Sequence, residues 1–473
     1  VIFASFEFLF LFLPLFFAVY FLTPFRWRNW PILILSWAFY AWWRVDFLAL
    51  LVGVTLFTYL LVLAMDRAGP RTPQGNRMLL LGVVGNLGVL AYFKYANFGV
   101  ATFNELVAAA GFQPVPWAGI LLPIGLSFYV LQSVSYLVDV WRGDVPVSRS
   151  FINYAAYKAM FSQLIAGPIV RYAEIDRELN AREHSLVQFG VGARRFMLGF
   201  AMKVCFADTL APVVDAVFAL PSPSLVDAWT GAVAYTLQLF FDFAGYSAMA
   251  IGLAGMCGFH FPENFDNPYL AGSIQNFWQR WHMTLSRFLR DYLYVPLGGN
   301  RRGRVRTYVN LLLTMVIGGF WHGANWTFLL WGAWHGGMLA LHRGWRAAGG
   351  REMPWWAGHL MLMLAVVIGW VVFRAADVAQ AVGMYRGMLG LNAVALSDAL
   401  AWQVTPDQWW CLLIATAAIY LPLLRSRLPM LRGVAGMGLP ARALWVVGPP
   451  LAFMLGVVLL YSRAAVPFLY FQF

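Results

Sequence analysis

The stretch Thr307–His342, TYVNLLLTMVIGGFWHGANWTFLLWGAWHGGMLALH, runs for 36 positions without a charge and is bounded by Arg306 and Arg343. As a single α-helix it would be about 54 Å long at about 1.5 Å per residue. The hydrocarbon core of a bilayer is only about 30 Å thick, so the run has to break. The break is visible at GGFWHGANW, Gly318–Trp326. With both ends basic, the reading is a hairpin or broken helix pair that enters and leaves on one side. About 14–16 residues of helix from Arg306 rise roughly 21–24 Å, which carries His322 deep into the membrane in kinked backbone. Irregular backbone at that depth is tolerated only inside protein or against a water-filled cavity. An ionisable residue there is a functional candidate by default.

The rest of the chain agrees with a membrane solvent. Of 473 residues, 61% are hydrophobic and 11% charged, against about 45–50% and about 25% in soluble domains. Further uncharged runs lie at 8–25, 47–65, 106–138, 243–262, 353–373, 408–424 and 443–462. The expected fold is an all-α polytopic membrane protein with about ten to twelve spanning elements. It forms one integral domain over 1–473, with N-terminal spans at 1–150, a core at 151–345 and C-terminal spans at 346–473. Val1–Pro24 is expected to be a retained first span, since no basic region precedes the apolar run and no small-residue cleavage site follows it. The basic loops 66–77 and 142–150 are placed in the cytoplasm by the positive-inside rule. Met160–Ile169 is too short to span and reads as re-entrant or interfacial. Residues 258–306, polar and aromatic, read as an amphipathic helix or pair at the cytoplasmic face. The net charge of +12 is attributed to these loops rather than to nucleic-acid binding. Three cysteines without metal-ligand spacing offer neither a disulfide framework nor a zinc site.

Imidazole suits proton transfer near neutral pH, and His322 is placed to deprotonate a hydroxyl as it attacks a thioester. Trp321 and Asn325 are expected to shape the site. The flanking glycines would let substrate approach the backbone. A second constellation runs from Phe277 to Tyr292. On a helix, His282, Ser286 and Leu289 share one face, and Arg287 and Asp291 form an i, i+4 ion pair. Trp281, His282, Ser286 and Asp291 join the candidate site, with His282 assisting by orienting or polarising the donor carbonyl or the acceptor. His335 is a further candidate for the same cavity. His184, His260, His342 and His359 are expected to be solvated, and Asp242 is the main intramembrane carboxylate.

On these residues the sequence resembles the membrane-bound O-acyltransferase (MBOAT) superfamily, and within it the bacterial branch that acetylates alginate and cellulose. The stretches that carry the resemblance are Leu122–Tyr129, Gln163–Pro168, Phe241–Ser247, Glu263–Phe265, Arg280–Tyr294 and Gly318–Trp326. They cover roughly residues 1–345. The resemblance implies a ring of helices around a central tunnel, with His322 as the catalytic histidine and His282 as the second polar residue. It implies an O-acetyltransferase of the bacterial inner membrane. Such an enzyme holds no bound cofactor and takes acetyl groups from a cytoplasmic thioester, acetyl-CoA. A periplasmic partner of the SGNH-hydrolase type and a polysaccharide export machinery then act on the far side of the lipid bilayer. Two positions depart from the family pattern: Ala248 stands where an Asp is usual, and Ser162 where a Pro is usual. The rival readings are D-alanyl transfer of the teichoic-acid type, a transporter, and a non-catalytic scaffold of an export complex. A transporter would show two matching interrupted segments in related halves, and only one is visible.

Overall fold

A computed structural model of the chain describes residues 3–427, 439–463 and 466–469, and these contain helices, turns and loops but no strand. Six helices are long and apolar enough to cross a membrane: Val45–Ala68, Pro73–Ala109, Leu186–Phe218, Leu225–Met256, Trp355–Arg374 and Trp445–Ser462. The chain is a multi-pass membrane protein. The other segments expected to span are either shorter, as with Glu7–Leu22 and Asn29–Ala41, or more polar, as in the hairpin described below. The helices begin where the sequence supplies caps. Thr72 accepts from the amide of Gly75 at 3.0 Å ahead of Pro73, and Asn325 accepts from that of Thr327 at 3.1 Å. Both satisfy an amide that the first helical turn leaves without a partner.

The chain divides into two compact units. One comprises the residues up to Gly192 together with Leu253–Pro262; the other comprises Ala193–Gly252 and the described residues from Glu263 onward. In the first unit the core is aromatic. The rings of Tyr136 and Tyr154 lie 4.8 Å apart, and those of Tyr136 and Tyr172 4.7 Å apart, all three fully enclosed. The re-entrant candidate is a short helix, Phe161–Leu164, set in irregular backbone and buried throughout. Protein groups meet part of its polar set: Phe161 N donates to Ser36 Oγ at 3.0 Å and Gln163 Nε2 to Tyr157 O at 2.6 Å, and beside it Tyr157 Oη donates to Val170 O at 2.9 Å, while Ser162 Oγ and Gln163 Oε1 have no hydrogen-bond partner among the described residues. Gly125, at φ +78°, passes so close that a Cβ would lie 2.4 Å from Leu164 O, so only glycine fits.

In the second unit the 36-residue run is a hairpin of two helices, Arg304–His322 and Trp326–Ala347, broken at Gly323–Asn325. The arms meet along glycines. A Cβ on Gly319 would stand 2.3 Å from Phe328 O, and one on Gly332 2.4 Å from Met315 O. Small residues let the two backbones touch. These glycines therefore serve helix contact, where the sequence suggested room for substrate. Gly323 is likewise filled, with a Cβ position 2.0 Å from the Phe328 ring.

Two expectations need correction. Residues 258–306 form no long amphipathic helix. They fold as a chain of short pieces, Pro268–Leu270, Ile274–Trp278, Met283–Leu289 and a π-helical turn at Arg290–Tyr294. Many of their side chains are buried, because apolar residues on every side leave no solvent face to define a period. His359 is not solvated: it is buried on Trp355–Arg374, with Nδ1 3.2 Å from Ala271 O and Nε2 2.9 Å from Tyr420 Oη.

Candidate active site

His322 is the last residue of the first hairpin arm and is 5% exposed. Its position follows from the arm before it, which stays helical through Gly318 and Gly319, and from Gly323 after it, which turns to extended backbone. The ring is walled by Trp321 at 5.0 Å, Trp331 at 5.3 Å and Phe373 at 5.4 Å between centroids. Asn325 does not reach the ring through any contact described. Its carboxamide caps the second arm and donates to Ala376 O at 2.7 Å, so both of its polar ends hold the hairpin tip.

His282 is 1% exposed and sits outside the helix on which it was expected. It precedes Met283–Leu289 as the N-cap, in the left-handed region at φ +41°. That conformation is uncommon for a residue with a Cβ, and Asn264 holds it. The amide of Met283 donates to Asn264 O at 2.9 Å. The ring Nδ1 lies 2.9 Å from Asn264 Oδ1. That oxygen also takes the Thr284 hydroxyl at 2.9 Å and the Thr284 amide at 3.4 Å, while Asn264 Nδ2 donates to Ser247 Oγ at 3.0 Å. A backbone amide can only donate, so Oδ1 is the acceptor end of Asn264 and His282 Nδ1 must carry a proton. The neutral ring then presents Nε2 as a bare lone pair. Nε2 is buried and has no hydrogen-bond partner among the described residues. In this tautomer His282 can accept a hydrogen bond or a proton but has no donor left. It can orient or deprotonate a hydroxyl, and it cannot polarise a carbonyl.

The two histidines border one aromatic cluster. From His282 the rings run through Phe265 (6.4 Å), Trp281 (5.1 Å), Trp370 (4.9 Å) and Trp331 (5.7 Å) to His322 (5.3 Å). Trp281 is thus a central wall of the cluster and 2% exposed. His335 is fully buried beside it, 4.9 Å from Trp331 and 5.3 Å from Trp278 between centroids. Both ring nitrogens of His335, and Nε1 of Trp278 and Trp331, lack a hydrogen-bond partner among the described residues. Buried donors are rarely left so, and here three lie in mutual ring contact.

Ser286 and Asp291 lie closer to the surface than the histidines, and Asp242 is buried. Ser286 is partly buried and donates to Trp281 O at 3.3 Å. Asp291 pairs with its neighbour Arg290, Oδ1 to Nε at 2.7 Å, and is partly exposed. Asp242 is 1% exposed and bound to Lys203 Nζ at 2.9 Å, which also meets Asp208 at 2.5 Å; Leu469 N donates to Asp242 at 2.9 Å. It is a structural carboxylate with a fixed cation. Among the described residues no three metal-ligating side chains converge. Asn264, Ser247 and Thr284 were not singled out from sequence. Asn264 lies within the Glu263–Phe265 stretch, and that placement was its one signal.

The family model for membrane-bound O-acyltransferases matches residues 120–374, which include His282, Asn264 and His322. The chain is 46% identical to "Probable alginate O-acetylase AlgI" of Azotobacter vinelandii over the full length of both chains. It is 52% identical to the protein of that name in Pseudomonas aeruginosa, over 84% of this chain and 76% of the relative. It is 36% identical to the peptidoglycan O-acetyltransferase of Helicobacter pylori, over 82% of this chain and 80% of that one.

Proposed function

This chain belongs to the membrane-bound O-acyltransferase family and is an acyltransferase, and from that premise we propose that it supplies acetyl groups for O-acetylation of an exported polysaccharide, alginate. The donor is a cytoplasmic thioester, acetyl-CoA. The protein resides in the bacterial inner membrane, and a periplasmic partner of the SGNH-hydrolase type completes the transfer beside the export machinery. The names of these relatives favour alginate over cellulose as the final acceptor.

The observation that carries the catalytic reading is the locked tautomer of His282, whose buried Nε2 can only accept, on the aromatic cluster that also walls His322. An acceptor hydroxyl gives its proton to an imidazole as its oxygen bonds to the thioester carbonyl carbon. The tetrahedral oxyanion collapses, the C–S bond breaks, and the imidazolium returns the proton to the leaving thiolate. His322 is the base and His282 Nε2 orients the acceptor hydroxyl. The indole N–H groups of Trp331 and Trp278 are the donors we assign to the carbonyl oxygen as it gains charge, a reading supported by their burial without a partner among the described residues. Trp321 and Trp281 exclude water from the step.

The test is the acetyl content of secreted polysaccharide in a deletion strain carrying His322→Ala, with the protein's membrane level measured alongside. Loss of acetylation at normal protein level supports catalysis at His322. Retained acetylation removes it, and His322 becomes a packing residue.

A further inference from the structure

In the first unit, a cavity of about 320 Å³ opens between the first apolar helix and the start of Leu186–Phe218. Its walls are Phe21, Leu186, Phe189 and Met256, with the backbone of Gly255 and Gly258. The lip is apolar and outward-facing: Leu186 is 91% exposed and Val187 77%. The polar lining is His184, Ser185 and Gln188.

His184 is held in a network with two guanidinium groups. Arg28 Nη1 lies 3.2 Å from His184 Nδ1, and the Arg28 guanidinium covers the rings of Tyr20 and Phe21 at 5.3 and 5.5 Å. Arg182, 6% exposed, donates from Nε to Tyr20 Oη at 2.8 Å and from Nη1 to Asn29 Oδ1 at 2.9 Å. Its Nη2 has no hydrogen-bond partner. The Tyr20 hydroxyl spends its one proton on Cys257 O at 2.7 Å. Its oxygen therefore accepts from Arg182 and from His184 Nε2, which lies 2.8 Å away. His184 is then neutral, with Nδ1 accepting from Arg28.

Every member of this network is neutral or positive. Among the described residues neither Arg28 nor Arg182 forms an ion pair with a carboxylate. The Glu178 carboxylate is committed to His260 at 2.6 Å, and the side chain of Glu183 is exposed. Two cations in one partly buried network without counter-charge are unfavourable unless an anion is supplied. The cavity beside them has an apolar wall at the first turns of the membrane-crossing helix Leu186–Phe218.

We infer that this cavity is a binding site for an anionic phospholipid, with the phosphate against Arg28 and an acyl chain along Phe21, Leu186 and Phe189. A free phosphate would satisfy the guanidinium but leave the apolar wall and lip uncovered. A zwitterionic lipid would cover the wall but bring its own cation to Arg28. The reading is independent of the catalytic proposal.

The test uses the full chain in detergent, incubated with equimolar phosphatidylglycerol and phosphatidylethanolamine and examined by native mass spectrometry. The wild type retains phosphatidylglycerol over phosphatidylethanolamine by about fivefold, the preference expected of one basic residue near an anionic headgroup. Arg28→Gln brings the ratio close to one. Leu186→Asp, at an exposed position where folding is not at stake, lowers retention of both lipids. Equal retention by the wild type, or an unchanged ratio in an Arg28→Gln protein that elutes as the wild type does, overturns the inference. Displacement of phosphatidylglycerol by millimolar inorganic phosphate also overturns it, and identifies the site as one for a free anion.

Discussion

The Nδ1 of His282 lies 2.9 Å from Oδ1 of Asn264, and the Thr284 amide on the same oxygen makes the direction of that hydrogen bond unambiguous. One carboxamide thus decides which nitrogen of a buried imidazole is free. Without it the ring could place its proton on either nitrogen, and the tautomer protonated at Nε2 would offer a donor where an acceptor is needed.

Asn264→Leu should therefore lower acetyl transfer by on the order of a hundredfold, the contribution typical of a positioned acid–base group, with protein levels in the membrane near normal. Asn264→Asp, which keeps an acceptor oxygen opposite Nδ1, should retain most of the rate. Transfer measured on purified membranes with a labelled acetyl donor checks the pair. Equal losses in both variants would assign Asn264 a packing role only.

The glycines of the hairpin give a second contrast. Gly319→Ala and Gly332→Ala push a methyl against backbone at 2.3 and 2.4 Å, and each should cost about 1–3 kcal/mol. Gly337, on the same arm, has nothing within 4 Å of its Cβ position. Gly337→Ala should be neutral or stabilising by up to about 1 kcal/mol, through helix propensity. Thermal unfolding in one detergent, read for all three, tests the ordering.

The hairpin was legible because charge, length and bilayer thickness together leave no alternative to a break at Gly318–Trp326. Which of its polar residues faces what was less legible. Asn325 looked like a site residue and turned out to cap a helix, since a cap and a ligand look alike in one dimension. His282 was assigned a helical face. Its left-handed backbone depends on Asn264, 18 residues earlier in a loop, and no periodicity reports on such a contact. His359 was read as solvated because its hydroxyl partner, Tyr420, lies 61 residues downstream. The short turns of 258–306 were missed for a related reason: a segment enclosed on all sides carries no amphipathic signature.

Lys203 lies between Asp208 and Asp242, and the three form a buried cluster. Lys203→Met leaves two carboxylates without a cation and should destabilise by about 3–5 kcal/mol. Lys203→Met combined with Asp208→Asn and Asp242→Asn should recover most of that loss. Unfolding transitions of the single and triple variants decide it. A triple variant no better than the single one would show that the cluster's charge is not what matters.

His184, in a loop outside the spans, is held below the ordinary histidine range by burial first and then by the positive charges of Arg28 and Arg182. The unfolded chain takes up a proton at this site near pH 6.5, before the native one does. Its contribution to stability is therefore complete above about pH 6.5 and declines as the pH falls below that. His184→Gln should flatten the fall in melting temperature between pH 7 and pH 5. An identical slope in the variant would place the acid sensitivity elsewhere.

The amide that closes on Asp242 belongs to Leu469, 227 residues later in the chain. During synthesis, Asp242 and Lys203 enter the membrane together and can pair early. The second carboxylate oxygen waits until the ribosome has made almost half of the protein again. Phe468, 1% exposed and 4.5 Å from Tyr246 between ring centroids, arrives at the same time. Assembly of this part of the protein therefore ends with a late docking step. A nascent chain stalled before residue 466 would present quality-control proteases with an unfinished polar site inside an otherwise inserted protein.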